Sequence, residues 1–369
     1  RPLRFRPPAE TTTMPEVSVP LQSSRPVIEI DGQSADDLAA ALNELRIEER
    51  SDGLAHCELA FGNWGLRNGV NDYTLFTRDR LEFGKRIEIK LTDQRIFAGR
   101  IMAIAGRFPH GGIPEIVVFA DDRLQDLRMQ RRTRCFEQQS DADVARTIAS
   151  DHGLQAAVDL PGPTHAVLAQ VNQSDLAFLR ERAIAAGGEL WIENDTLHLA
   201  TRPARAGGTP VALAYGSNLL GFEVRADLAL QRSRLTVSGW NPKDKQAIKE
   251  SAEAAVLGSE LDGGESGVAL VARALGERAD TVAHLNPSDA SEARAIAESW
   301  LRQIGRRFVV GRGKASPDAR IRPGAKVDLS GLGPLFNGKY TVCEVCHRFD
   351  LVEGARSEFT VERPAIGRP

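Results

Sequence analysis

The sequence predicts a mainly β chain with α+β insertions, in which two small antiparallel β-barrel domains flank a helix-containing α+β domain. Three observations predict it. Short runs in which apolar and polar residues alternate recur from Val27 to Ala120 and again from Leu219 to Val361, the period of strands buried on one face. Between them, Ser140 and Ser174 each open a stretch with apolar residues at helical spacing. Turn residues separate the runs at short intervals, as in compact barrels. The length of 369 residues allows two or three domains, at roughly 150 residues each. The division expected is a flexible N-terminal arm at residues 1–24, a first barrel at 25–125, an α+β two-helix domain at 126–204 and a second barrel at 205–369. A helical and loop excursion is expected at about 241–305.

Residues 1–24 are rich in Pro, Thr and Ser and carry no period, which suits an arm that orders on a partner. Val27, Ile28 and Ile30 begin the first strand, and Asp31-Gly32 turns it. Leu45–Arg50 and Leu54–Phe61 flank Ser51-Asp52-Gly53, a hairpin pattern. Ile87, Ile89 and Leu91 alternate with Arg86, Glu88 and Lys90. Arg95–Ala105 and Ile113–Ala120 follow as further strands. Asp121–Arg134 reads as a polar connector, either a solvated linker or exposed helix or a basic ring facing cargo or a partner.

Ser140 and Asp143 have the spacing of a capping box, and Val144, Ala145 and Ile148 follow until Gly153 stops the helix. The second helix places Leu176, Leu179 and Ala183 on one stripe and ends at Gly187-Gly188. Leu190–Ile192 and Thr196–Leu199 then form a hairpin around Asn194-Asp195. Arg205–Gly208 reads as linker. Strands return at Leu219–Ala226 and Leu235–Trp240, Gly258, Gly263, Gly264 and Gly267 interrupt any long helix after them, and Ser288 is expected to cap a helix through Gly305 that carries Ile296, Trp300 and Ile304.

The last stretch, Ile321–Val361, is a meander of three alternating runs. Ala325, Val327 and Leu329 oppose Lys326, Asp328 and Ser330; Lys339–Phe349 is the middle run; Phe359 and Val361 close it. Pro323-Gly324 before a strand, then Phe336-x-Gly338-x-Tyr340-x-Val342 and His347, resembles the C-terminal barrel of the phage late control gene D family. These are tail hub proteins similar to the N-terminal half of valine-glycine-repeat spike proteins. Upstream, the segment from Gln170 to Leu199, with Ser174, Asp175, Phe178 and Leu179, resembles that family's Ser-Asp helix and hairpin. The resemblance covers about residues 25–363. It implies a baseplate hub of a phage tail or contractile injection system, a homotrimer that adapts a sixfold tail tube to a threefold spike. The partners it implies are the spike protein, the tail-tube protein and other baseplate components. It implies no catalysis, and it makes Pro323, Gly324, Phe336, Gly338, Tyr340, His347, Ser174, Asp175, Phe178 and Leu179 structural residues.

Composition agrees with a globular chain, at 42% hydrophobic and 26% charged residues. A net charge of −3 argues against a primary nucleic-acid or membrane-surface role. No apolar run approaches the roughly 18 residues a spanning helix needs. The first residues show no apolar stretch of the signal-peptide kind, and four cysteines are too few for a disulfide framework, so the expectation is synthesis in the cytoplasm.

Chemical motifs are few. Cys343-Glu344-Val345-Cys346-His347 has the spacing of covalent haem attachment, but on an alternating strand its two thiols are expected on opposite faces, and no second ligand pair suggests zinc. His347 is expected to hydrogen-bond within or beside the barrel, the other reading being an acid or base. Gly311-x-Gly313-Lys314 lacks the Ser/Thr of a phosphate loop, and Gly264-Glu265-Ser266-Gly267 lacks the final Gly of a nucleophile elbow. Trp191, Trp240 and Trp300 are expected in cores. No cofactor, metal or catalytic set is expected. The alternatives are a tail-associated cell-wall hydrolase and a β-barrel ligand-binding module.

Overall fold

The computed structural model describes residues 25–367 except positions 68, 92, 242, 243, 286 and 288. The expected arm at residues 1–24 and the expected cap Ser288 lie outside them. The first part of the chain forms β1 (Val27–Ile30), β2 (Gln33–Ser34), α1 (Asp36–Ala41), β3 (Leu42–Arg50), β4 (Gly53–Gly62), β5 (Gly65–Arg67), β6 (Val70–Asp72), β7 (Arg86–Leu91), β8 (Gln94–Arg107) and β9 (Glu115–Asp121). Alternation sets their faces: Leu45 and Ile47 of β3, like Ile87 and Ile89 of β7, are buried, while Arg46 and Arg86 are exposed. Gly53 ends the β3–β4 turn at φ +113°, a conformation in which glycine has no Cβ to strain.

The middle of the chain forms α2 (Leu124–Arg128), β10 (Arg131–Ser140), α3 (Asp141–Asp151), β11 (Gln155–Asp159), β12 (Thr164–Ser174), α4 (Asp175–Ala186), β13 (Gly188–Glu193), β14 (Thr196–Thr201) and α5 (Arg202–Arg205). Both expected helices are present with the expected caps. Ser140 and Asp143 form a reciprocal capping box, and Ser174 accepts the Ala177 N–H. Asn194 and Asp195 both take positive φ in the β13–β14 turn, as a two-residue hairpin loop requires. Of the readings offered for the connector over 121–134, a helix is present, but it is short and buries Leu124 and Leu127, and a strand follows it from Arg131.

The last part forms β15 (Val211–Ala214), β16 (Leu219–Ala226), β17 (Arg234–Asn241), β18 (Gln246–Glu253), a 3-10 turn (Ala254–Glu260), β19 (Glu265–Ser266), α6 (Gly267–Leu275), β20 (Ala279–Val282), α7 (Ala290–Arg306), β21 (Val309–Ala315), β22 (Lys326–Ser330), β23 (Gly338–Asp350), β24 (Gly354–Arg363) and β25 (Ala365–Ile366). Asp289 caps α7 by accepting the Glu292 N–H. The excursion starts earlier than expected: β17, read as a strand of the second barrel, joins β18 and β20 in a small separate sheet whose apolar residues pack with Ala293, Ala297 and Leu301 of α7. Trp240 is exposed on it, contrary to the expected core position, whereas Trp191 and Trp300 are half-buried.

The two expected barrels are not closed. Thirteen strands form one sheet in the order β16-β21-β24-β23-β3-β4-β9-β8-β7-β1-β2, with β22 on β23 and β15 on β22. The reason is the length of β23. Thirteen residues span about 43 Å at 3.3 Å each, more than one small barrel needs. Its first half pairs with β22 and its second half with β3, from Glu344↔Arg50 to Asp350↔Glu44. It therefore feeds two cores: Tyr340, Val342 and Val345 pack with Val327, Val309 and Phe359, while Phe349 packs with Leu45, Phe61 and Ile89.

Candidate functional site: a charged junction below the meander

The ten residues singled out in the sequence fall in two places. Pro323 and Gly324 turn the chain into β22; Gly324 sits at φ +88° and its N–H donates to the Val342 carbonyl at 2.8 Å. Gly338 begins β23 at φ +120°. Tyr340 is buried and donates its hydroxyl to the Phe336 carbonyl at 2.8 Å. The Arg363 guanidinium lies 4.4 Å from the Tyr340 ring, and burial pushes the phenol up to about 12. Phe336 itself is half-buried at the edge of this core, not inside it.

His347 is fully enclosed. Its Nδ1 lies 3.0 Å from Ser357 Oγ, and its Nε2 has no close hydrogen-bond partner among the described residues. Burial, with Arg322 nearby, lowers its pKa to about 4, so it stays neutral at pH 7. Cys343 and Cys346 are not on opposite faces. A bulge between Val342 and Glu344 shifts the alternation, and both thiols lie off the buried positions Val342, Val345 and His347. Both cysteines are free.

Ser174, Asp175, Phe178 and Leu179 belong to a different core. Phe178 stacks on Phe136 at 5.8 Å, and Leu179 is buried beside it. Burial pushes the Asp175 carboxyl up, but hydrogen bonds from His152 (2.8 Å) and Gln170 (2.9 Å), with the Arg134 guanidinium at 2.8 Å, hold it below the ordinary range. Arg132 and Arg134 thus bind the protein's own Asp151 and Asp175, and Arg123 binds Asp126 and Asp195, so these arginines do not form an open basic ring.

What the sequence reading missed lies between these two places. Arg205, expected in a linker, closes the one-turn helix α5, and its guanidinium covers the Trp191 ring at 4.4 Å. Arg205 and Arg202 both hold Glu189 of β13, at 3.0 and 2.8 Å, and Arg202 also binds Glu362 of β24. Arg322 grips Glu49 of β3 through two bonds, at 3.0 and 2.8 Å. All three acidic side chains are less than 10% exposed. A cavity of about 350 Å³ opens beside them, lined in part by Glu49, Asp122, Trp191, Glu193, Arg205 and Arg322. Asp122 is buried there. It accepts the Ala55 and Leu124 N–H groups at 2.8 and 2.9 Å, and burial, with Glu49 and Asp121 near, pushes it up to about 7.

Each carboxylate in this junction is committed to a guanidinium or to backbone donors. The arrangement clamps β3, β13 and β24 to one another. The signal for it was the pair Arg202 and Arg205 at i, i+3 around Pro203, which fits a helical turn as well as a linker. Among the described residues no group of three or more His, Cys, Asp or Glu side chains is placed to hold a metal ion. No helix among them is long and apolar enough to cross a membrane.

A family model described as the Alg8 N-terminal domain matches residues 23–350, nearly the whole described chain. The chain belongs to the Alg8 N-terminal domain family. No curated protein matches this Alg8 N-terminal domain family member. Among solved structures, it is similar to the 43 kDa tail protein of prophage MuSo2 from Shewanella oneidensis, with a TM-score of 0.66 at 15% identity, over 92% of this chain and 98% of that one. It is also similar to the tail protein from Neisseria meningitidis MC58, with a TM-score of 0.67 at 13% identity, over 92% and 96%. A third similar structure is the E. coli c3393 protein, a type VI secretion component with structural similarity to the T4 tail proteins gp27 and gp5. There the TM-score is 0.57 at 10% identity, over 93% and 79%. This member of the Alg8 N-terminal domain family therefore has a mainly β fold shared with phage tail proteins.

Proposed function

We propose that the chain is a structural baseplate hub of a phage tail or contractile injection system and has no catalytic role. Three copies form a ring that adapts a sixfold tail tube to a threefold spike, assembled from chains made in the cytoplasm. The observation that carries this reading is the likeness to the two phage tail proteins over more than nine-tenths of both chains. The meander motifs around Gly324, Gly338 and Tyr340, similar to late control gene D hub proteins, support it independently.

The architecture suits the task. Each half of the long sheet wraps its own apolar core, so one chain carries two comparable β units with the α+β layer beside them, and three chains carry six. A rotation that closes makes a ring from one repeated heterologous contact. The charged junction fits a scaffold, because its guanidinium–carboxylate pairs tie Glu49, Glu189 and Glu362 into one network between the β units.

Light scattering on the size-exclusion peak tests this, with the purified chain alone and mixed with its spike protein. A trimer in either setting is the expected result; a monomer in both refutes the hub. Incubation with peptidoglycan separates the hub from a tail-associated hydrolase: no release of soluble fragments is expected, and turnover would reverse the assignment.

A further inference from the structure

Beside the charged junction lies a smaller hollow of about 140 Å³, where α5, the 3-10 turn, the end of α7 and strands β22, β23 and β24 meet. Pockets for drug-sized ligands run to about 300–1,000 Å³, so this one suits a single small group. Three carboxylates line it, and each is taken by a cation of the same lining. Arg202 holds Glu362, Arg306 grips Glu260 through two bonds at 2.7 and 2.6 Å, and Lys339 lies 3.4 Å from Asp262. Two further cations line the hollow, Lys326 and Arg363, and neither has a carboxylate partner among the described residues.

Strand register sets the first of these. Lys326 of β22 pairs with Thr341 of β23, which pairs with Glu362 of β24, so the three stand in one row across the sheet. Arg363 is the next residue of β24. Its terminal nitrogens donate to the Asn337 and Leu335 carbonyls at 2.9 and 2.6 Å, and its buried Nε has no hydrogen-bond partner among the described residues. Burial lowers its pKa, with Tyr340 and Asp262 acting the other way, yet a guanidinium stays protonated. A cation taken out of water without a counter-ion is stabilised by an anion that reaches it. The Ser259 and Thr341 hydroxyls line the same hollow, and no other group among the described residues uses them.

Charge separates the candidate anions. A carboxylate carries one negative charge and leaves one of the two cations unmet, whereas a phosphate group carries close to two and offers several acceptor oxygens. We propose that this hollow binds a phosphate group, with Lys326 and the Nε of Arg363 as its charged donors and Ser259 and Thr341 as its hydroxyl donors. The inference stands apart from the hub reading and does not depend on how many chains assemble.

The test titrates the full chain with inorganic phosphate, glycerol phosphate and acetate at constant ionic strength, read by isothermal titration calorimetry. The variants are Lys326→Ala, whose side chain is exposed, and Lys249→Ala, an exposed lysine of β18 outside the hollow. Arg363→Ala would also release the Leu335 and Asn337 carbonyls, so the charge test rests on Lys326. Circular dichroism and the melting temperature confirm that each variant is folded. The expected result is saturable binding of one phosphate group per chain by the parent and by Lys249→Ala. Lys326→Ala should bind about tenfold more weakly, the worth of one hydrogen bond to a charged group. Acetate should bind more weakly than phosphate by a similar factor. Saturation by inorganic phosphate shows that the free ion suffices, and saturation by glycerol phosphate alone shows that an ester is needed; either supports the site. Heats that saturate with neither overturn the proposal. Acetate binding as tightly as phosphate overturns the ligand class. An unchanged affinity in Lys326→Ala, or an equal loss in Lys249→Ala, overturns the assignment to this hollow.

Discussion

Replacing Arg202 by Ala tests whether the junction is a clamp. Arg202 stands between Glu189 and Glu362, with its side chain only 12% exposed. After the substitution Glu189 keeps Arg205 at 3.0 Å, but Glu362, at 8% exposure, loses the one guanidinium that binds it among the described residues. Breaking a buried pair costs about 3–5 kcal/mol because an unpaired charge is left behind. One orphan rather than two places the cost near the lower end, about 3 kcal/mol. With an unfolding entropy of about 2.1 cal/mol/K per residue, that lowers the melting temperature of a cooperative unit of this size by roughly 4 °C. Arg202→Leu combined with Glu362→Leu removes both charges and should recover at least half of the loss, since apolar replacement of a buried pair is often neutral. Urea titration of the parent, the single variant and the double variant reads these differences. A single variant within about 0.5 kcal/mol of the parent would refute the clamp, being no more than an ordinary surface substitution costs. A double variant no better than the single would refute the unpaired Glu362 as the cause.

Three further outcomes follow from the same geometry. His347 has its pKa lowered from 6.5 to about 4, so protons bind the unfolded chain first; the stability tied to it is present above pH 6.5 and lost as pH falls toward 4. Comparing melting temperatures of the parent and His347→Gln between pH 7 and pH 4 should show the steeper decline in the parent, and parallel curves would contradict a buried neutral imidazole. Gly324→Ala meets both a positive φ and the Arg205 side chain, whose Cγ, Cδ and Nε lie 2.7 Å from the added Cβ. Equilibrium unfolding should register about 1–3 kcal/mol of strain, and a neutral result would show that Arg205 has room to move. Phe336→Ala should cost about 2 kcal/mol, roughly half of what a fully buried ring costs. Tyr340→Phe should cost about 1 kcal/mol through its lost hydrogen bond. Urea midpoints check both, and a larger loss for Tyr340→Phe would mean that the placement of the two rings is misjudged.

Much of this fold was legible because local chemistry decided it. Alternation placed Ile47, Ile89 and Val327 inward. The Ser140–Asp143 capping box and the Asn194-Asp195 turn announced their elements by hydrogen bonds within a few residues. What stayed hidden was long-range. The period of a strand says which face is buried but not which strand lies beside it. The Arg50–Glu344 bridge joining the two halves crosses 294 positions of sequence. Arg132 and Arg134 looked like part of a solvated connector because their partners Asp151 and Asp175 sit on separate helices. Cys343 was assigned the wrong face because one extra residue in a bulge reverses every parity after it. The junction escaped for the same reason: three acids and three arginines, each ordinary alone, meet only after folding.

The thirteen-residue strand β23 has a mechanical consequence. Because one unbroken backbone segment is stitched into both cores, the two lobes share a spine and cannot swivel independently without tearing a hydrogen-bonded ladder. Torque applied to either lobe is handed directly to the other, so a particle built from such chains would transmit load as a stiff collar, with any hinge lying between chains rather than within one.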